Sequence, residues 1–326
     1  MTEPVLSIRD LSVVFPTEEG LLSAVAGASL QVNRNEVLGL VGESGCGKSV
    51  TALSAVRLLP RPGRIAGGQI RFSGRDVLAL SEKELMAVRG KDITMIFQDP
   101  MTALSPLVSV GAQMAECFLL HEKISKKDAI QKCIPWLSRM GLPEPVRILE
   151  SFPYALSGGQ QQRIMIAMAL MMEPSLVIAD EPTTALDATV SAQIFDLLRR
   201  MRGENSSVLL ITHDLGVVWE LCDRVIVMYA GRIVEDARVN ELFARPLHPY
   251  TEGLLRSVPV LGEEEGELFS IEGQVPSPLS MPVGCRFHDR CRLAFDRCRT
   301  EEPELLPVGG GGRKAACFLA AERLSK

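Results

Sequence analysis

Eight residues, Gly42-Glu43-Ser44-Gly45-Cys46-Gly47-Lys48-Ser49, constrain this chain more than any others. They match G-x-x-x-x-G-K-[ST] at every fixed position. Residues 36–41 before them are short, apolar and β-leaning, and residues 50–59 after them read as a helix that stops at Pro60. In a strand–loop–helix setting, glycines let the backbone wrap around phosphates, so several N–H groups and the helix N-terminus converge on one anion. Lys48 then reaches the β/γ-phosphates and the Ser49 hydroxyl ligates Mg²⁺. An ordinary glycine-rich turn before a helix is the competing explanation, and the correct flanks argue against it. Nucleotide binding is the first expectation.

The remaining pattern tells what carries this loop. Residues 6–15 and 24–32 read as strands joined by a turn at 16–20, with further strands at 69–72, 93–97, 176–179, 208–212, 224–228 and 231–235. Helical spacing runs from 110 to about 139, behind the second glycine loop over the methionine-rich 164–172, and from 190 to 201. Strands alternating with helices over most of the chain predict an α/β fold with a largely parallel sheet covered on both faces. At 326 residues, 46% of them apolar, the chain suits one large α/β domain plus an appendage. We place the boundary near 258, where the composition turns Glu/Gly/Pro-rich: residues 1–257 form the main domain and 258–326 an extension.

Charge and hydropathy exclude several classes. A net charge of −5 without basic runs argues against a nucleic-acid partner. No apolar stretch reaches the roughly 18–20 residues of a membrane span. The opening Met1-Thr2-Glu3-Pro4 lacks an apolar signal region, which predicts a cytoplasmic location.

Three strand ends carry candidate chemistry. Asp180 and Glu181 close an apolar strand, where α/β folds place ligands. One carboxylate can hold Mg²⁺, and an adjacent one can accept a proton from attacking water. His213 and Gln98 close two other strands; each is weak alone and gains weight in that company. A second glycine loop, Leu156-Ser157-Gly158-Gly159-Gln160, opens another helix and predicts a second anion-binding N-terminus. One nucleotide does not need two such ends from one chain, but two chains facing head to tail would use both. Phe15, upstream of the phosphate loop, either stacks on a nucleobase or packs in the core.

With these motifs in this order, residues 5–258 resemble an ATP-binding cassette (ABC) ATPase. The resemblance implies a P-loop NTPase fold with a mixed sheet core, an antiparallel β subdomain, and a helical subdomain at about 100–157. It implies that Gly42, Ser44, Gly45, Cys46, Gly47, Lys48, Ser49 and Val50 hold the phosphates of ATP and Phe15 the base. Ser49, Gln98 and Asp180 would hold Mg²⁺. Glu181 would polarise the attacking water, with His213 and Gln98 as γ-phosphate sensors. Ser157, Gly158, Gly159 and Gln160, with Asp187 in the turn Ala185-Leu186-Asp187, would face the partner's nucleotide.

Narrower stretches, residues 98–106 and His248-Pro249-Tyr250-Thr251 with Leu254-Leu255, resemble the bacterial dipeptide/oligopeptide permease branch. That branch implies an importer ATPase on the cytoplasmic face of the inner membrane. Its partners would be a homologous second ATPase subunit, two integral membrane subunits and, indirectly, an external peptide-binding protein. The branch also includes nickel, glutathione and antimicrobial-peptide systems. A soluble ATPase acting on ribosomes or nucleic acid, a fused exporter and a redox-sensing module are the competing classes.

Cys285, Cys291, Cys298 and Cys317 cluster near the end. Disulfides do not suit a reducing compartment. Structural zinc prefers tight C-x2–4-C knuckles, absent here. Four cysteines without a knuckle suit a [4Fe–4S] cluster, which the family resemblance favours; zinc, His288 as an alternative ligand, or no metal at all remain open.

Overall fold

The computed structural model describes residues 3–99, 103–183, 186–203, 206–257 and 269–325. Pro100–102 of the permease-like stretch, Ala185 of the turn before Asp187, and the expected boundary at 258 lie outside them. The chain divides into two compact units, one of residues 1–5, 32–36 and 79–210, the other of 6–31, 37–78 and 211–326.

The second unit carries the phosphate loop. Its long strands Leu6–Thr17 and Gly20–Val32 sit in a four-stranded sheet with Arg64–Phe72 and Arg75–Asp76. Leu6–Thr17 pairs antiparallel with Arg64–Phe72. The hairpin turn is tighter than expected from the sequence, at Glu18 and Glu19, because Thr17 Oγ1 donates to the Gly20 carbonyl at 2.8 Å and Gly20 takes φ 137°. A second run of strands in this unit orders Leu306–Pro307, Lys314–Ala315, Arg232–Arg238, Arg224–Tyr229 and Val37–Val41. Val37–Val41 pairs parallel with Arg224–Tyr229, whereas Arg224–Tyr229 and Arg232–Arg238 form an antiparallel hairpin through Ala230 and Gly231, both at positive φ. The all-buried run of Val37–Val41 is what a central parallel strand requires.

The first unit carries the strands Ser207–Ile211, Leu176–Asp180 and Ile93–Ile96 in that spatial order, the last two parallel. Every residue of Leu176–Asp180 and Ser207–Ile211 is buried. Its helices include Val110–His121, Lys126–Arg139, Pro145–Glu150, Gly158–Leu170 and Ala188–Gly203. The continuous helical pattern at 110–139 is thus two helices. Ser125 starts the second one by accepting from the Asp128 N–H at 3.2 Å and donating to the Asp128 carboxylate at 2.6 Å. Parallel and antiparallel pairs together make this the mixed-sheet α/β architecture expected for the cassette.

Candidate functional site

The two glycine loops are built differently. Helix Lys48–Ala55 starts from Gly47 at φ 106°, and no side chain caps it. Its N-terminal N–H groups therefore keep the character of an anion site. Helix Gly158–Leu170 instead begins with a capping box: Ser157 Oγ accepts from the Gln160 N–H at 3.4 Å and Gln160 Oε1 accepts from the Ser157 N–H at 2.9 Å. Serine and glutamine at that spacing hold their own helix end, a role the glycines had overshadowed in the sequence.

Lys48 is buried, and its ammonium donates to the carbonyls of Gly42 at 2.8 Å and Glu43 at 3.0 Å. Ser44 and Gly45 form the exposed tip, where a Cβ on Gly45 would meet only open space. At Gly42 and Gly47 the backbone leaves no such room. A Cβ on Gly42 would lie 2.1 Å from the Met228 carbonyl oxygen, and one on Gly47 2.6 Å from that of Ala24. The loop is close-packed underneath and open on top, the shape a polyphosphate needs. Cys46 is buried beneath it, its thiol pKa pushed up by burial. Ser49 and Val50 are half-buried in the first helical turn.

In the first unit, Gln98 follows the strand Ile93–Ile96 and donates from Nε2 to Glu181 Oε2 at 3.2 Å. Asp180, 4% exposed, ends its strand, and Glu181 turns out of it with φ 45°, a left-handed conformation that costs a β-carbon residue about 1–2 kcal/mol. Strain of this sort concentrates where a side chain must be aimed. Gln162, fully buried, donates to the Pro182 carbonyl at 2.5 Å and so fixes the segment behind Glu181. Gln162 lies two residues past the second glycine loop, and nothing in the local sequence distinguishes it from its neighbours Gln160 and Gln161. Asp187 is exposed, and its Oδ1 accepts from the Val190 N–H at 3.0 Å as helix Ala188–Gly203 begins.

His213, in the second unit, is exposed in the turn between strand and helix. Its neighbour Asp214 caps helix Leu215–Leu221 by accepting from Gly216 and Val217. Phe15 is half-buried and its ring lies over Gly63: a Cβ there would be 2.4 Å from Phe15 Cε1.

The four C-terminal cysteines are all half-buried free thiols. The Cys285 N–H donates to the Cys298 carbonyl at 2.8 Å. Burial, with smaller contributions from Cys298, Cys317 and Cys291, pushes the Cys285 thiol up to about 11; burial also raises Cys291 and Cys317. The thiols are neighbours, yet among the described residues no three His, Cys, Asp or Glu side chains converge as metal ligands. His288 turns its Nδ1 to the Cys285 carbonyl at 2.8 Å and its Nε2 to Asp289 at 3.0 Å.

Phosphate loop, strand-end acids and mixed sheet define a nucleotide-binding protein of the cassette ATPase class. Residues 25–184 match the ABC transporter family model, and residues 234–298 match the oligopeptide/dipeptide transporter C-terminal region. The chain is 46% identical over 320 residues to the oligopeptide transport ATP-binding protein OppD of Salmonella typhimurium, covering 98% of this chain and 95% of that one. It is 50% identical over 291 residues to the dipeptide transport ATP-binding protein DppD of Bacillus subtilis, covering 89% and 87%. Among solved structures, a dimeric ATP-binding cassette in a post-hydrolysis state with ADP and Pi superposes with a TM-score of 0.66 at 25% identity, covering 72% of this chain and 98% of that chain. The chain belongs to the family of ATP-binding subunits of oligopeptide/dipeptide ABC transporters, and is an ABC-type ATPase.

Proposed function

We propose that this chain hydrolyses ATP to drive uptake of dipeptides or oligopeptides through a membrane importer. The observation that carries this reading is the union, in one chain, of an open-topped phosphate loop with the peptide-transporter C-terminal region.

The loop N–H groups and Lys48 would hold the β- and γ-phosphates, and Ser49, Gln98 and Asp180 would hold Mg²⁺. Mg²⁺ supplies charge neutralisation on the phosphate oxygens and a template for in-line attack. Glu181, aimed by its turned backbone and by Gln98, would accept the proton of the attacking water. His213 would sense the γ-phosphate from its exposed turn, and Phe15 would stack on the base.

A second ATPase subunit, facing this one head to tail, would use Ser157, Gly158, Gly159 and Gln160. The capping box stiffens the helix end but leaves the Gly158 and Gly159 N–H groups without intrahelical partners. Membrane subunits would dock on the helical part of the first unit, and exposed apolar side chains there support this: Leu107, Leu119, Leu120, Phe152 and Tyr154. Attachment to the cytoplasmic face would be peripheral, through those membrane subunits; no helix among the described residues is long and apolar enough to cross a membrane.

We also propose a [4Fe–4S] cluster on the four C-terminal cysteines, with zinc or no metal as the alternatives. Their proximity supports it, although as they stand they would have to converge and lose their protons to ligate. Visible absorbance bleached by reductant with roughly four irons per chain would support the cluster, and a colourless zinc protein would refute it.

The deciding experiment is ATPase activity of the purified assembly in lipid, with and without peptides presented by the binding protein. Peptide-stimulated turnover supports the reading. Co-purification with ribosomes and indifference to every peptide would refute it.

A further inference from the structure

Glu43, the second residue of the phosphate loop, is held at three points. Its carbonyl accepts from Lys48 Nζ at 3.0 Å, and its N–H donates to the Tyr250 hydroxyl at 2.8 Å. Its carboxylate receives both ends of the Arg290 guanidinium, Nη1 to Oε2 at 2.7 Å and Nη2 to Oε1 at 2.9 Å. Only the first of these contacts comes from the loop itself.

Arg290 is built for this contact. Its side chain is 5% exposed. Nε donates to the Glu272 carbonyl at 2.9 Å and Nη2 to that of Ile271 at 3.3 Å, so the guanidinium plane is fixed before it meets Glu43. It lies against the rings of Tyr229 and Phe287 at 5.8 and 5.9 Å. Those rings pack with Tyr250, the centroid of Tyr229 lying 4.6 Å from Tyr250 and that of Phe287 5.4 Å from it. A bidentate arginine backed by an aromatic wedge is a rigid anchor, not a loose surface pair.

A carboxylate in a loop that must receive a triphosphate is a liability. Unpaired, it would repel the incoming anion and would be free to fold over the loop's N–H groups. Paired with Arg290, it is neutralised and drawn away from the open top. The contact also ties the loop to residues 269–292, far along the chain.

We propose that the C-terminal segment is a strut for the phosphate loop, in which Arg290 is a positioning residue that neutralises and pins Glu43 so that the loop stays open to ATP. The inference rests on the reading of residues 42–49 as the ATP site.

The test is a double-mutant cycle on the full chain, read by titration with a fluorescent ATP analogue and by KM and kcat of the assembly. Arg290→Ala should weaken nucleotide binding roughly ten-fold, the scale of one uncompensated like charge near a protein surface, and raise KM by the same factor with kcat little changed. Arg290→Lys, keeping the charge but not the fork, should recover part of the loss. In a Glu43→Gln background, adding Arg290→Ala should change affinity by less than about two-fold, since there is no longer a carboxylate to neutralise. Unchanged affinity in Arg290→Ala, or an equal further loss in the Glu43→Gln background, would overturn the inference while the ATP-site reading stood. If the unsubstituted chain bound no ATP, the ATP-site reading would fall and take the inference with it.

Discussion

Gln98 Nε2 donates to Glu181 Oε2 at 3.2 Å, linking a residue two positions past one strand to the acid that follows its parallel neighbour. The bond orients a carboxylate whose own backbone is already turned to φ 45°. Two constraints on one half-buried acid make sense if its direction matters to the reaction.

Glu181→Gln tests that directly. The amide keeps the size and can still accept from Gln98, but it cannot take a proton from water. Nucleotide binding should persist while turnover of the assembly falls by about 10²–10⁴-fold, the usual contribution of a general base. Undiminished ATP hydrolysis in the variant would remove Glu181 from the catalytic role.

The glycines of the phosphate loop should not be equivalent. Gly42→Ala would drive a methyl group into the Met228 carbonyl, and the loop would have to shift. Gly45→Ala meets open space and pays only for its φ of 78°, about 1–2 kcal/mol. We expect Gly42→Ala to abolish nucleotide binding and Gly45→Ala to retain a weakened site, measured by nucleotide titration alongside thermal unfolding. Equal effects would mean that backbone conformation, not close approach, sets the requirement.

Much of this site could be read from sequence because it consists of short local patterns. The phosphate loop, the acids Asp180 and Glu181 at the end of Leu176–Asp180, and the second glycine loop each sit at a strand end or helix start, where composition changes abruptly. What escaped was of two kinds. Local endings set by a single backbone choice were one: the helix expected to reach residue 59 ends at Ala55, and Arg57 turns to φ 52° well before Pro60. The other was contact between distant residues. Arg290 and Glu43 are 247 positions apart, and neither periodicity nor spacing announces such a pair. The two-residue strands Leu306–Pro307 and Lys314–Ala315 were missed for a related reason, since so short a segment has no alternation to detect.

Arg313 should be indispensable to the C-terminal segment. Glu235 is fully buried and accepts from the Leu247 and His248 N–H groups, both at 2.9 Å, and from Arg313 Nη2 at 2.9 Å. Only Arg313 balances its charge among these contacts. Arg313→Ala would leave an uncompensated buried carboxylate, costing about 3–5 kcal/mol. Denaturant unfolding should show a lower midpoint, and adding Glu235→Gln should restore part of it. A loss below 1 kcal/mol, judged against the ordinary spread of surface substitutions, would show that the pair is not a structural keystone.

His248 gives the same region a pH dependence of definite sign. It is buried, and burial, with a smaller effect from the Arg323 charge, lowers its pKa from 6.5 to about 3. Its Nδ1 accepts from the Tyr250 N–H at 3.0 Å to cap helix Pro249–Arg256, and a protonated ring could not do so. The unfolded chain takes up a proton below about pH 6.5, whereas the folded chain resists until about pH 3. This contribution to stability is therefore complete above pH 6.5 and is lost as pH falls towards 3, with a limiting slope of about 1.4 kcal/mol per pH unit. Asparagine at 248 would keep an N-cap acceptor without titrating. Denaturant unfolding at a series of pH values should show that wild type loses stability on acidification more steeply than His248→Asn, by about one proton's slope. Parallel curves for the two proteins between pH 6 and 4 would mean that the folded chain accommodates the imidazolium, and would refute the assignment of His248 as a neutral, buried cap.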